Sequence, residues 1–95
     1  MLIDIPYKNG DVVSLKLSSG EEVVGRLEED KPDGLVLSKP MMLTASQQGL
    51  GLAPFMFSVD PESKLLIKAG SVLCVTKTEK SFASQYLENT TGITV

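Results

Sequence analysis

The residues best suited to acid–base chemistry are carboxylates that surround one predicted hairpin. Paired carboxylates can exchange a proton in catalysis or bind Mg²⁺ or Ca²⁺. However, the chain has no histidine to share this work, and the residues after Gly34 are apolar where a calcium loop requires further oxygen ligands. We therefore interpret these carboxylates as a solvated acidic rim and expect no metal site. They are Glu21, Glu22, Glu28, Glu29 and Asp30.

Nucleophilic chemistry has little support in the sequence. The absence of histidine removes the Ser-His-Asp and Cys-His arrangements, and the single cysteine, Cys74, excludes an internal disulfide. Cys74 lies in an apolar strand pattern, which predicts a buried and inert thiol, because reactive cysteines need an electropositive, partly exposed setting. We therefore predict a protein that is not an enzyme and that takes no cofactor and no small-molecule substrate.

The most informative polar feature is the turn Lys68-Ala69-Gly70-Ser71. A lysine followed by small residues places an ammonium group beside accessible backbone N–H groups, and this combination suits a phosphate or a nucleobase. The alternative is a plain hairpin turn whose lysine is simply solvated. Composition alone favours the plain turn.

The chain of 95 residues and 10.2 kDa is predicted to form a single domain over residues 1–95. A domain of this size buries only about 60–65% of its unfolded surface, so its core is thin and a subunit interface would help it. The net charge of −3 argues against broad electrostatic attraction to nucleic acid or anionic membranes. With no basic start and no apolar run near ~18 residues, the protein is expected in the cytoplasm and not in a membrane.

Hydrophobic alternation predicts a mainly β protein. Val13, Leu15 and Leu17 alternate with polar residues and form one strand. Residues 22–29 form a second strand, whose internal Gly25 marks a sharp bend or a close backbone approach. Further strands are predicted at 35–43, 65–67 and 72–75 and an extended segment at 52–59, with turns or loops at 30–34, 45–49, 60–63 and 68–71.

The last predicted strand, residues 72–75, is apolar on both faces, whereas a strand of a small open sheet should alternate. Its second face must therefore be covered, either by a partner subunit or by a C-terminal helix. Residues 80–88 predict that helix, because Phe82 and Tyr86 lie four residues apart on one stripe. Residues 89–92 are predicted to end it.

The order of these features resembles the Sm-like (LSm) family. The family's first motif is an alternating strand, a Gly turn, a bent strand with an internal Gly, and an Asp-containing turn before a Leu-rich strand. Residues 10–38 match it, with Gly25 and Asp30 in the corresponding places. The second motif, a short strand, a basic and a small residue and a final apolar strand, is matched at 65–76. Taken whole, the chain is also similar to divergent Sm-like proteins attributed to cyanophages, which would place it in a bacterial host cell.

The resemblance implies a small, strongly bent five-stranded barrel with a short C-terminal helix. Residues 39–64 would be a variable insert between the motifs, and residues 77–95 the C-terminal helix and tail. Family members form cyclic oligomers in which the last strand of one subunit pairs with a strand of its neighbour. We therefore expect a homo-oligomeric ring of about five to seven subunits. The implied interface consists of Val72, Leu73, Cys74 and Val75.

The family binds single-stranded RNA at the central pore, through the loops of its two motifs. This chain departs from the pattern there: Pro32 replaces a base-stacking aromatic residue, Gly34 a base-contacting asparagine, Lys68 the common arginine and Ala69 a glycine. An aromatic stacking contact is worth about 1–3 kcal/mol per base, so weak or altered RNA binding is expected. The candidate RNA-binding residues are Asp30, Asp33, Gly34, Lys68, Ala69, Gly70 and Ser71.

Two other functions are consistent with these residues. The first is a ring that serves as a structural or protein-interaction scaffold without nucleic acid, which the acidic balance and the departures at the RNA site favour. The second is an unrelated small barrel, such as an SH3-like adaptor, which would be a monomer. Oligomeric state and oligonucleotide binding distinguish the three functions.

Overall fold

Six strands and one helix follow one another along residues 6–91, the part of the chain that this computed structural model describes. The predicted class, mainly β with a C-terminal helix, is confirmed. Within the described residues, no helix is long and apolar enough to cross a membrane. The elements are β1 (Val12–Leu17), β2 (Glu22–Lys31), β3 (Gly34–Ser46), β4 (Gly49–Pro54), β5 (Lys64–Lys68), β6 (Val72–Lys77) and α1 (Lys80–Thr91), with a 3₁₀ turn at Ala69–Ser71 between β5 and β6.

The strands form one antiparallel, bent sheet in the order β4-β3-β2-β1-β6, and β5 also pairs with β3. The two partners of β3 share the same edge, because β5 pairs with its residues 34–38 and β4 with its residues 41–46. The sheet therefore has the predicted five strand positions. A sixth strand arises because residues 55–63 interrupt the strand at one of those positions.

Two local features bend the sheet. Lys39 has a positive φ of 48° and precedes the buried Pro40, and β3 changes partner at this point. Between the pairs Val24–Met41 and Arg26–Ser38, β3 contributes two residues, Lys39 and Pro40, against the single Gly25 of β2, so Gly25 lies opposite a bulge in β3. A Cβ atom at Gly25 would lie 3.2 Å from Cδ1 of Leu37 and 3.4 Å from Cα of Pro40. The predicted close backbone approach at Gly25 is thus present.

We expect the substitution Gly25→Val to destabilise the fold by about 1–3 kcal/mol, although valine favours strands. The added methyl groups would press on Leu37, which is fully buried, and on the backbone at Pro40. Urea unfolding followed by circular dichroism measures the change. An unchanged midpoint would show that the sheet accommodates a side chain here.

The core lies on the inner face of the bent sheet, and the helix covers part of the outer face. Val24 and Tyr86 are also buried but lie outside the inner cluster. The Tyr86 hydroxyl accepts a hydrogen bond from the Arg26 N–H and lies 2.9 and 3.0 Å from the carbonyl oxygens of Ser38 and Lys39, which anchors α1 over β2 and β3. The inner cluster consists of Val13, Leu15, Leu17, Val23, Leu27, Leu35, Leu37 and Ile67.

The ends of several elements differ from the sequence prediction. The predicted polar loop at 45–49 is instead a two-residue connection, because β3 continues to Ser46 and β4 begins at Gly49. The segment predicted as extended to Val59 leaves the sheet after Pro54.

The helix begins as predicted at Lys80, where the Glu79 carboxylate accepts hydrogen bonds from the N–H groups of Ser81 and Phe82. The helix does not end at Asn89 but continues to Thr91. The side chains of Asn89 and Thr90 donate hydrogen bonds to carbonyl oxygens one turn earlier in the helix. The predicted stop at residue 92 lies outside the described residues, as do the first five residues and the end of the tail.

Candidate nucleic-acid interface and assembly edges

The structure brings the two motif loops together at one end of the sheet. Gly34, the first residue of β3, pairs with Lys68, the last residue of β5. Next to this pair, the N–H of Ala69 donates a 3.0 Å hydrogen bond to the carbonyl oxygen of Asp33. The Ser71 hydroxyl donates to the Lys68 carbonyl oxygen at 2.7 Å and closes the 3₁₀ turn. Backbone hydrogen bonds therefore hold the two loops of candidate RNA-binding residues side by side.

Gly34 has a specific structural reason to lack a side chain. Its φ is +154°, and a Cβ atom would overlap the carbonyl oxygen of Ile67 and press on the side chain of Leu66. The family resemblance places a base-contacting asparagine at this position, but the present backbone leaves no room for one. At this position the loop therefore offers a base no side chain.

The electrostatics of the two loops are balanced. Lys68 is exposed and forms no ion pair within residues 6–91. The other motif loop also exposes its charged side chains, which are Asp30 and Lys31 at the end of β2 and Asp33 in the turn that follows. Two ammonium groups and two carboxylates therefore lie at this end of the molecule. One subunit therefore offers an anion local contacts with Lys68 and Lys31 but no net positive field.

Tyr7 is a neighbour of this site that sequence reasoning missed. Its ring packs against the core cluster, and its hydroxyl points toward the Asp30 carboxylate at 3.5 Å. Partial burial, reinforced by the Asp30 charge, raises the pKa of the Tyr7 phenol. A turn separates Tyr7 from β1, because the Asp11 N–H donates a hydrogen bond to the Lys8 carbonyl oxygen and Gly10 has a φ of 95°. The N–H of Gly10 bonds to the Leu27 carbonyl oxygen and holds this turn against β2.

The candidate interface strand β6 exposes part of its apolar surface. Leu17 pairs with Val72 and Lys16 with Cys74, so Leu73 is an extra residue in a bulge. Val72 and Val75 consequently both pack against the core, while Leu73 is 67% exposed.

The prediction of a buried Cys74 is wrong for the single chain. The bulge places this residue opposite the exposed Lys16 and leaves its thiol accessible. The alternative in which the C-terminal helix covers the strand is also wrong, because α1 is anchored over β2 and β3. The exposed face of β6 has no cover within the described residues.

One shallow groove of about 260 Å³ joins the two sets of candidate residues. Asp30 and Gly34 line one side, and Ala69 lies at its end. The whole candidate interface, residues 72–75, lines the other side. Any chain that pairs with β6 would therefore lie beside the motif loops.

Three strands have an unpaired outer edge in the described part of the chain. One is β6 at one end of the strand order, and the other two are β4 and β5, which lie one after the other along the same edge of β3. Leu66, in the middle of β5, is 37% exposed. Unpaired strand edges bind other strands readily, so this geometry allows head-to-tail association.

The acidic residues near the hairpin are held separately. Glu28 accepts a 2.8 Å hydrogen bond from the Ser38 hydroxyl and lies 3.5 Å from the Lys64 ammonium group, and the serine bond is the main cause of its lowered pKa. A hydrogen bond from Ser19 is the main cause of the lowered pKa of Glu21. Within residues 6–91 no three carboxylate or thiol groups lie close enough together to hold a metal ion.

Comparison with known proteins identifies the fold as Sm-like. The crystal structure of the P. aerophilum SmAP1 heptamer superimposes with a TM-score of 0.53 over 76% of this chain and 84% of that chain, at 15% sequence identity. No protein-family model and no curated protein sequence matches the chain. The bent five-position sheet and the paired motif loops thus define a small Sm-like barrel with an interrupted edge strand.

Proposed function

We propose that the chain forms a closed ring of identical subunits that binds single-stranded RNA weakly at its pore. The observation that carries the proposal is the pair of free edges, β5 and β6, on opposite ends of one sheet. They are similar in length, with five and six residues. Pairing β6 of one subunit with β5 of the next repeats head to tail, and such a contact closes into a ring when the rotation allows it. The similar P. aerophilum protein is a heptamer.

The exposed apolar surface supports the ring. Leu73 and Leu66 lie on the two edge strands and would leave water when the strands pair. Within residues 6–91 the core cluster contains only eight buried residues, so an interface adds needed apolar burial. In this arrangement the exposed Cys74 becomes an interface residue rather than a reactive thiol.

In the proposed ring the motif loops would surround the axis, as the family resemblance implies. The turn Ala69–Ser71 joins the end of β5 at Lys68 to the beginning of β6 at Val72, so these two strand ends lie close together. One Lys68 per subunit then forms a circle of like charges, which an RNA phosphate backbone would neutralise. The missing aromatic residue and the balanced charges would keep the affinity low.

A ring that acts as a scaffold without RNA is the second candidate. It is favoured by the balance of charges around the loops, where Asp30 and Asp33 oppose Lys31 and Lys68. In that case Lys68 pairs with a carboxylate of the adjacent subunit and contributes to ring stability instead of to RNA binding.

The substitution Lys68→Ala separates the two candidates. If phosphate is the counter-charge, oligonucleotide affinity falls and the slope of log K against log salt decreases by up to about one unit per occupied subunit. The ring should stay intact, because backbone bonds of Ala69 and Asp33 hold the turn. Titration with uridine-rich and adenosine-rich oligomers at two salt concentrations, with light scattering in parallel, measures both effects.

Lys64→Ala is the matched control, because it removes the same charge from the other end of β5. Its ammonium group contacts Glu28 on the surface, and its loss should leave the salt dependence of binding unchanged. A ring that binds no oligonucleotide at low salt would support the scaffold. A stable monomer at micromolar concentration would contradict ring formation itself.

A further inference from the structure

Residues 55–63, between β4 and β5, expose the largest apolar side chain on the described surface. Phe57 is 81% exposed and the adjacent Met56 is 44% exposed. The segment leaves the sheet at the edge of β3 that β4 and β5 share, immediately before β5 begins at Lys64. Phe57 therefore protrudes next to the edge strand that forms the proposed subunit contact.

The segment is held in place by its own subunit. The Lys39 ammonium group lies 3.6 Å from the Glu62 carboxylate and donates a 3.1 Å hydrogen bond to the Thr90 carbonyl oxygen of α1. The turn at its end is closed by hydrogen bonds from the N–H groups of Glu62 and Ser63 to Asp60. A loop fixed in this way loses little freedom on binding.

A partly apolar cavity lies beside the segment, yet Phe57 does not fill it. The cavity of about 280 Å³ has apolar lining residues, among them Met56 and Leu65, and polar or charged ones, among them Lys39, Asp60 and Glu62. Phe57 is not among its lining residues. The aromatic ring is thus presented outward, as a contact residue would be.

Strand direction determines which part of a neighbouring subunit this segment meets. In the proposed ring, β5 runs toward the axis and ends at Lys68, and β6 runs away from the axis and ends at Lys77. Antiparallel pairing then places the beginning of one subunit's β5, with residues 55–63, beside the end of the next subunit's β6. The start of α1 at Lys80 follows directly.

Charges on the two surfaces are complementary. Residues 55–63 carry two carboxylates, Asp60 and Glu62, and no basic residue. The opposing surface carries Lys77 and Lys80, and neither forms an ion pair within the described residues. The Asp11 carboxylate, whose pKa is lowered mainly by a hydrogen bond from the Lys8 N–H, is near enough to Lys77 for the lysine charge to contribute to the lowered pKa. The only acid between the two lysines, Glu79, is occupied by the N–H groups at the start of α1.

We propose that residues 55–63 form a second intersubunit contact, in which Phe57 packs against the neighbouring copy of this chain where β6 ends and α1 begins. Asp60 faces Lys77 and Lys80 of that copy across the same contact. The inference rests on the proposed ring and adds to it a contact at the outer rim, remote from the pore loops. It explains why the edge strand is interrupted and why an exposed phenylalanine is kept there.

The substitution Phe57→Ser tests this contact, and Leu50→Ser is its matched control. Leu50 is 56% exposed but lies at the tip of the β3–β4 hairpin, opposite Ala45 and away from β5. Sedimentation of each protein over a dilution series gives the concentration at which the ring dissociates. We expect this concentration to rise at least about tenfold for Phe57→Ser and to change less than about twofold for Leu50→Ser.

The possible results separate this inference from the proposed function. A wild-type monomer at all concentrations would overturn the ring and this contact together. A wild-type ring that dissociates no more readily with Phe57→Ser than with Leu50→Ser would overturn the rim contact and leave the ring standing. Because Phe57 is exposed in the single subunit, its replacement leaves the subunit fold intact, which thermal unfolding of the dissociated chain verifies.

Discussion

Replacement of Tyr86 by alanine is expected to lower the free energy of unfolding by about 3–5 kcal/mol, a larger loss than that expected for Gly25→Val. The side chain is 2% exposed and is the largest fully buried side chain in the described residues. Its removal leaves a cavity between α1 and the outer face of the sheet. Urea unfolding of the variant and the wild type measures the loss.

The hydroxyl group of Tyr86 contributes a separate part of this effect. It accepts a 3.2 Å hydrogen bond from the Arg26 N–H and shares its proton between the carbonyl oxygens of Ser38 and Lys39. These groups lie beside Gly25 of β2 and at the bulge and kink that Lys39 and Pro40 form in β3. One phenol thus satisfies backbone groups that the bends remove from the strand ladder.

The substitution Tyr86→Phe separates the hydroxyl group from the ring. It keeps the packing but leaves the Arg26 N–H without its partner, and we expect a loss of about 1–3 kcal/mol. Burial raises the pKa of the Tyr86 phenol above its ordinary value of 10.0. The folded state therefore holds this proton more tightly than the unfolded state, so stability is present below the unfolded pKa and is lost as the pH rises through the folded pKa.

Wild-type stability should consequently fall more steeply above about pH 10 than that of Tyr86→Phe. All other side chains are the same in both proteins, so the difference between the two curves isolates Tyr86. If the free energies of unfolding of the two proteins changed in parallel with pH, the raised pKa of a buried Tyr86 phenol would be contradicted. An alanine variant as stable as the wild type would contradict the packing of α1 on the sheet.

The sheet was largely predictable because its determinants are local. Val13, Leu15 and Leu17 alternate with polar residues, and all three are buried. Tight turns follow β1 and β2, so the pairing of neighbouring strands in space follows their order along the chain. Gly25 was recognisable because a glycine within a strand needs a reason, and its contact with Leu37 supplies one.

The surface of β6 was not predictable from its pattern. Four consecutive apolar residues, 72–75, predicted a strand buried on both sides. The bulge at Leu73, which the sequence does not mark, instead directs two valines inward and exposes Leu73 and Cys74. Reading faces from an alternating pattern of apolar and polar residues assumes that the strand pairing has no bulge. One extra residue reverses which face the side chains on one side of it occupy.

The candidate site was predictable in its loops but not in its surroundings. The order of the two motifs was enough to expect Asp30–Gly34 next to Lys68–Ser71, and Gly34 does pair with Lys68. Tyr7 was missed because it lies in no predicted strand and is separated from β1 by a turn at residues 8–11. Its approach to Asp30 depends on how this turn lies against β2, which the sequence pattern does not specify.

Gly34→Ala is expected to destabilise the protein by about 2–4 kcal/mol, because the new methyl group would overlap the Ile67 carbonyl oxygen at a φ that side chains rarely adopt. Relief requires β3 and β5 to separate where Gly34 pairs with Lys68. The two motif loops would then lose their alignment. Urea unfolding measures the stability, and hydrogen exchange of the Ala69 amide, which bonds to Asp33, reports the separation.

Gly70→Ala is the control for this prediction. Gly70 lies in the turn between β5 and β6. Its φ is not in the left-handed region, and a Cβ atom there would meet nothing within 4 Å. We expect a change within about 0.5 kcal/mol. If Gly34→Ala were as mild as Gly70→Ala, the close approach of β3 to Ile67 would be contradicted.

The variant Gly34→Asn extends this test to function, because it introduces the residue that the family resemblance places at this position. Asparagine tolerates left-handed φ values better than alanine, but its Cβ atom meets the same Ile67 carbonyl oxygen. We therefore expect a loss of stability close to that of Gly34→Ala and no gain in oligonucleotide affinity. A stable Asn variant with tighter binding would show that the loop can open to admit a base-contacting side chain. In the present geometry, the close approach of the two strands excludes that side chain, so the proposed RNA binding would depend on other groups of the two loops, such as Lys68.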